Sequence, residues 1–464
     1  MAFCSFSAQA AFGTFAKPFK ADSPWNIRPI NPVLGTYTLP LTGPQNWDPK
    51  ISTGDLSTAA FLAKDSDSAM EVFPLEDEVG VWDPDAAVFL ASITIPRWPQ
   101  NVVPAEGGDG HADIVDPVTG KVHSFWKLRY INGKWRAKQH AWSSLTGRGW
   151  GDPAHYYQGA RAVGVPTIGG LIRIHEVDDG ESHYKHALAM SASWEGLSGN
   201  PTFIYPATSA DAYSNTKHIG QVPEGALMML PQDYNMQISN PQLQKVVETL
   251  KIFGARVVDE NYGTPFHIYV ENGAAFNLYG EDSEENNSIR GELRRMREAM
   301  RQVISADYVD GDGNPTTADE PGNFNLLSLR GPWKPTQVGG PVGVFNSLTQ
   351  SIEFASVPTA IRQQNGDSTG ISGGKVPGDT TRQTRVTWAK PVSGATYRLT
   401  ASGTGSTSVM LHLYSGGTAQ AQTPELKPGE SSTFVWPNDG WATVIVKNVA
   451  NKAGSISATM IRVD

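Results

Sequence analysis

Val409-Met-Leu-His-Leu-Tyr414, the turn Ser415-Gly-Gly417, and Ala442-Thr-Val-Ile-Val-Lys-Asn-Val449 are runs of strand-forming residues broken by a glycine turn. Their neighbours repeat the pattern. Thr384–Trp388, Thr396–Ala401, Ser432–Trp436 and Ile456–Val463 are further strand-like runs, with Pro428-Gly429 and Asn438-Asp-Gly440 as turns between them. Short strands at this spacing, each ended by residues that tolerate tight turns, predict a small β-sandwich over 381–464. Just upstream, Gln364 to Thr380 is rich in Gly, Ser and Thr and reads as a flexible linker. The wider stretch 331–380 is taken as a connector.

Between 22 and 330 the same logic predicts a larger β-rich body, sandwich-like or jelly-roll-like. Ala87–Ile95, Leu171–Ile174, Ala187–Ala192 and Phe266–Val270 are strand runs, with Asn132-Gly133, Asp179-Gly180 and Asn272-Gly273 as turns. Two helices interrupt it. Asn240-Pro241 opens one with an N-cap and a proline at the first helical position, and Gly254 closes it. Ser288–Ile304 predicts a second, more charged helix. The fold class is therefore mainly β, an α+β body with a C-terminal sandwich. Residues 1–21, small and apolar without a period, are taken as an attachment arm.

At 464 residues the chain exceeds one ordinary core, and roughly two or three domains are expected. A formal net charge of −9 argues against nucleic-acid or anionic-membrane binding, which needs a concentrated basic surface. The single cysteine excludes an intrachain disulfide. No apolar run is long enough to span a bilayer. The N-terminal residues lack the basic start and apolar core of a signal peptide, so synthesis in a reducing cytosol is expected.

Histidine is the local anomaly: eight of the ten lie between His111 and His218, alongside Trp126, Trp135, Trp142, Trp150 and Tyr156. One reading is catalytic. A histidine would carry a proton near neutral pH, with Asp113 or Glu176 orienting its ring and Arg173 offsetting charge on an anionic sugar. His111, Asp113, Arg173, Glu176 and His186 are the candidates. The competing reading is structural, with imidazoles bonding backbone groups and Asp116-Pro-Val-Thr-Gly120 forming a tight turn. A metal site is not expected, since the spacings match no closed tetrahedral pattern and no cysteine assists. Asp310-Gly-Asp312-Gly-Asn314 opens like a calcium loop, but Pro315 and Pro321 stand where Gly and Glu are needed. No cofactor is implied. The tryptophans and Tyr156 are candidates for stacking on sugar rings.

The order Asp22-Ser-Pro-Trp25-Asn26, His111-Ala-Asp-Ile-Val-Asp116, Gly169-Gly-Leu-Ile-Arg173 with Glu176 and His186-Ala-Leu188, then Ile219-Gly-Gln-Val-Pro-Glu-Gly225 and Val257-Val-Asp259, resembles a largely uncharacterised family of secreted bacterial and phage β-sandwich proteins. The resemblance covers roughly residues 22–280 and implies extracellular, polysaccharide-related work. Lacking the leader of the secreted members, this chain resembles the phage version, a tail-fibre or receptor-binding virion protein. The expected partners are host surface polysaccharide and other virion proteins. A homo-oligomer is expected by analogy with trimeric fibres. A polysaccharide lyase or glycoside hydrolase and a structural head-fibre or decoration protein are the alternatives.

Overall fold

The computed structural model describes residues 11–42, 48–152, 155, 157–276, 278, 283–330, 333–336, 342–366 and 391–464. The predicted strand Thr384–Trp388, Tyr156 and most of the Gln364–Thr380 linker lie outside these residues. The mainly β expectation holds: sheets stack as layers and, among the described residues, none closes into a barrel.

The body is built on an eight-stranded mixed sheet. Its path runs Arg28–Leu34, Arg301–Val309, Leu227–Met229, Ala255–Asn261, Leu188–Ser193, Phe266–Tyr269 and Lys50–Ser52, with Pro315–Thr316 paired to Arg301–Val309. The central strand Leu188–Ser193 is buried at every residue, and alternation sends its side chains to two cores. Leu188, Met190 and Ala192 pack with Val246, Leu250, Ile289, Leu293 and Met296 of the helices Pro241–Ile252 and Ser283–Ala299. On the other face Ala187 and Ala189 join Trp25, Trp150, Val115 and Val122. Those valines belong to a six-stranded sheet, whose far face packs Ile114 and Phe125 against Val72 and Ile95 of a four-stranded sheet.

The first helix begins as expected. The Asn240 side chain accepts from the amides of Gln242 and Leu243, Pro241 follows, and Gly254 takes a φ of 76°. The second starts earlier than predicted and stops at Ala299, because residues 301–309 are recruited as a sheet strand. A third, single-turn helix, Ser214–Lys217, has no clear sequence signal. Ala87–Ile95 is two strands in different sheets, Val88–Leu90 and Ile93–Ile95. Among the described residues no helix is long and apolar enough to cross a membrane.

Two boundaries need correction. The segment 331–380 is not simply a connector: Lys334–Pro335, Val344–Asn346, Ser351–Phe354 and Ile361–Gly366 pair into the two five-stranded sheets of the C-terminal sandwich. Ile352, Phe354 and Ile361 lie in its core, which also takes in Phe324, Leu327 and Tyr157 of the body. Nor do residues 11–21 project as an arm. Phe19 is fully buried, its amide bonds the Leu145 carbonyl, and Asn26 donates to the carbonyls of Pro18 and Lys20. These contacts fold the segment back as a strap against the body.

Candidate functional site

Arg173, Glu176 and His186 line one cavity of about 490 Å³, together with Lys17, Pro18 and Phe19 of the strap, Trp25, Leu171, His175, Asp179, Glu181 and Lys185. The local fold explains the grouping. Residues 174–176 form a single 3-10 turn, and the Glu176 carboxylate reaches back to accept from the Arg173 amide at 3.0 Å. Glu271, next to the strand Phe266–Tyr269, accepts from Arg173 Nε and the Ile174 amide, both at 2.9 Å, and from Ala60 N at 3.1 Å. Arg173 also donates to the Phe15 carbonyl at 2.9 Å, which ties down the strap. Arg173 and Glu271 are both about 3 % exposed. So Arg173 is a buried rivet, with its charge spent on Glu271.

His186 lies on the approach to the central strand. Nδ1 donates to the Ala187 carbonyl at 2.9 Å, and Nε2 stands 3.1 Å from Glu176 Oε2. Since a carbonyl and a carboxylate both accept, each ring nitrogen carries a proton and the ring is an imidazolium. Burial opposes that charge, but the Glu176 carboxylate outweighs it and raises the His186 pKa. For Glu176 too, burial pushes up while the His186 charge prevails, leaving the carboxyl below its usual range. Both ring nitrogens are engaged by protein groups, which fixes the orientation of the ring in the cavity.

The other expected catalytic residues are elsewhere. His111 Nδ1 donates to the Phe125 carbonyl at 3.3 Å, and burial followed by the Arg161 charge lowers its pKa to about 3. It stays neutral. Asp113 does not orient it. That carboxylate is sealed, accepting from Ser124 Oγ and from the Ile168 amide at 2.7 Å, and burial pushes it up to about 6. Most of the histidine cluster is structural: His111, His123, His140, His155 and His218 are buried, with His123 Nδ1 3.1 Å from His140 Nε2 and His155 Nε2 2.5 Å from Asp85 Oδ2. The turn at Asp116 forms as read, its carboxylate taking the amides of Val118 and Thr119.

The tryptophans do not share a groove, because strand pairing distributes them. Trp150 is fully buried, stacked on Trp25 with ring centroids 5.3 Å apart. Trp142 wedges against the C-terminal sandwich, its indole N–H donating to the Ser347 carbonyl at 2.8 Å and Lys121 lying 3.4 Å over its ring. Trp126 donates to Asp109 at 3.1 Å on another edge of the body. Trp142 also borders a cavity of about 330 Å³, while Trp135, with Trp98, lines a larger open hollow of about 720 Å³. The hairpin Arg129–Ile131/Lys134–Ala137, turned by Asn132-Gly133, sets Tyr130 directly opposite Trp135. Their rings are 5.2 Å apart, and Trp98 backs Trp135 at 4.9 Å. Phe73, with Lys134 4.6 Å over its face, extends the wall, and Ser66, Asp67, Glu71 and Gln100 supply polar groups around it.

A cluster that sequence reasoning missed lies at the C-terminal end of the inner strand Ala255–Asn261 of the large sheet. The Asp211 amide donates to Glu224 at 3.0 Å, the Glu260 amide donates to Asp211 at 2.9 Å, and Arg161 donates to Asp259 at 3.0 Å while stacking 3.9 Å over Tyr269. Burial pushes Glu224 up to about 8, and burial with the Glu224 charge lifts Asp211 well above its ordinary value. Five separated segments contribute, so no spacing reveals it. Pro223-Glu-Gly225 and Val257-Val-Asp259 were visible only as fragments of the resemblance. Among the described residues no group of three or more His, Cys, Asp or Glu could hold a metal ion.

No family model matches the chain, and no curated protein matches it. Among the solved structures that overlap part of it are two that each cover 30 % of this chain. Accessory secretory protein 1,2 and 3 of Streptococcus pneumoniae is 8 % identical with a TM-score of 0.22, over 96 % of its own length. TmCBM61, solved in complex with β-1,4-galactotriose, is 14 % identical with a TM-score of 0.20, over 99 % of its length. Overlaps this loose carry no argument about what the chain binds.

Proposed function

We propose that the protein recognises a surface glycan through the Trp135 hollow, as a receptor-binding component of a bacteriophage virion. The hollow carries the reading. Tyr130, 63 % exposed, and the half-buried Trp135 offer ring faces to the apolar side of a sugar, while Asp67, Glu71 and Gln100 can take its hydroxyls. Trp135 rests on Trp98 and the core beneath it, while Tyr130 keeps the pair open beside the carboxylates. The virion assignment is the finer part and rests on the resemblance of residues 22–280. Binding to extracted host polysaccharide tests the first part: Trp135→Ala should weaken it by about tenfold, the scale of one lost aromatic stack. Equal binding by the variant would remove the hollow from the account. Detection of the chain in purified particles by mass spectrometry tests the second.

A further inference from the structure

Glu224 is fully buried, and its surroundings do not support a charge. Oε2 accepts from the Asp211 amide at 3.0 Å, while Oε1 meets no donor among the described residues. The cations around it are committed elsewhere. Arg161 pairs with Asp259 at 3.0 Å, Lys217 and His218 pair with Glu260, and Arg256 donates to the carbonyls of Pro24 and Gly225. Asp259 and Glu260 add negative charge from the strand Ala255–Asn261, and the Asp211 side chain hydrogen-bonds Glu224 from its own loop. Two carboxyls in contact, out of water and without a cation, cannot both ionise. A proton therefore lies between them and serves as a structural joint.

The joint holds a segment that would not hold itself. Asp211 also takes the Glu260 amide at 2.9 Å, and two residues on the chain passes through Tyr213 at a φ of 64° into the single-turn helix Ser214–Lys217. A tyrosine in the left-handed region is strained, and four helical residues are too few to persist without outside contacts. The outer side of this segment carries Tyr213 and Ile219, 61 % and 76 % exposed, and lays the Lys217 ammonium 4.0 Å over the half-buried Trp194 ring. We propose that the proton shared by Asp211 and Glu224 is the catch of a latch, whose loss above neutral pH frees residues 211–219 and uncovers the face of Trp194. Burial, with Asp259 and Glu260 adding to it, raises the Glu224 pKa to about 8, so the latch is shut below that pH and opens as it is passed. The device does not depend on the Trp135 hollow.

Hydrogen exchange of the full chain, followed by mass spectrometry from about pH 6 to about pH 9 and corrected for intrinsic base catalysis, tests it. Peptides covering residues 211–219 should lose protection at least about tenfold as pH passes about 8, while those of the helix Pro241–Ile252 keep theirs. Glu224→Gln puts an amide donor where the shared proton stood, and Asp211→Asn does the same from the other side. Each variant should stay protected over the whole range. Protection of 211–219 that does not change with pH overturns the latch. So does a pH dependence that survives in both variants, or one shared by Pro241–Ile252, which would mark unfolding of the whole molecule.

Discussion

At the scale of single residues, the molecule stores unusual protonation states in places the solvent hardly reaches. Glu224 is fully buried and its pKa is raised from 4.5 to about 8. A carboxyl raised in the folded state contributes stability that is whole below its unfolded pKa and is lost as pH climbs through the folded one. Between pH 4.5 and about 8 that loss runs at about 1.4 kcal/mol per pH unit for one such group. Glu224→Gln keeps the shape without the titration. Its unfolding free energy, measured in urea from pH 5 to 8, should fall less steeply than that of the parent chain; parallel curves would show that the group does not titrate there. On the acid side the buried imidazoles act. His111, His123 and His267 have pKa values lowered to about 3, 4 and 4 by burial, so their contribution is whole above pH 6.5 and disappears as pH falls through those values.

Elements were legible where local chemistry agrees with tertiary demand. The helix Pro241–Ile252 shows its cap, its proline and its closing glycine in the chain itself, and the structure uses all three. Asn240→Ala should therefore cost about 1 kcal/mol in chemical denaturation, the worth of two satisfied amides at a helix start. The helix Ser283–Ala299 was placed too far along because residues 301–304 continue its polar pattern, yet a long-range pairing with Val33 and Leu34 claims that segment for the sheet. The site divided the same way. Arg173, Glu176 and His186 converge because they sit within one short stretch folded by a 3-10 turn. His111 and Asp113 stand two apart, where alternation would put them on one face, yet the Phe125 carbonyl takes one and the Ile168 amide the other, which residue type alone cannot reveal. The aromatic stretch failed as a unit because strand pairing sends Trp142 to one cavity, Trp135 to another and Trp150 to the core.

Over the whole molecule, the layers are continuous where composition suggested a hinge. Glycine and serine around residue 370 mark a linker, but the strands before it complete the sandwich that follows it, and residues 324–329 thread into the same core. A fragment 381–464 lacks Ile352, Phe354 and Ile361 and should show no cooperative melt in circular dichroism. A fragment 321–464 should melt cooperatively. If the shorter piece folds as well as the longer one, the early strands are ornament rather than part of the core.

The strap has a mechanical corollary. Phe15 is fastened to Arg173, and Arg173 to Glu271, so the strap and the wall of the Glu176 cavity share a single joint. Displacing the strap would therefore strip one partner from the guanidinium that Glu271 holds.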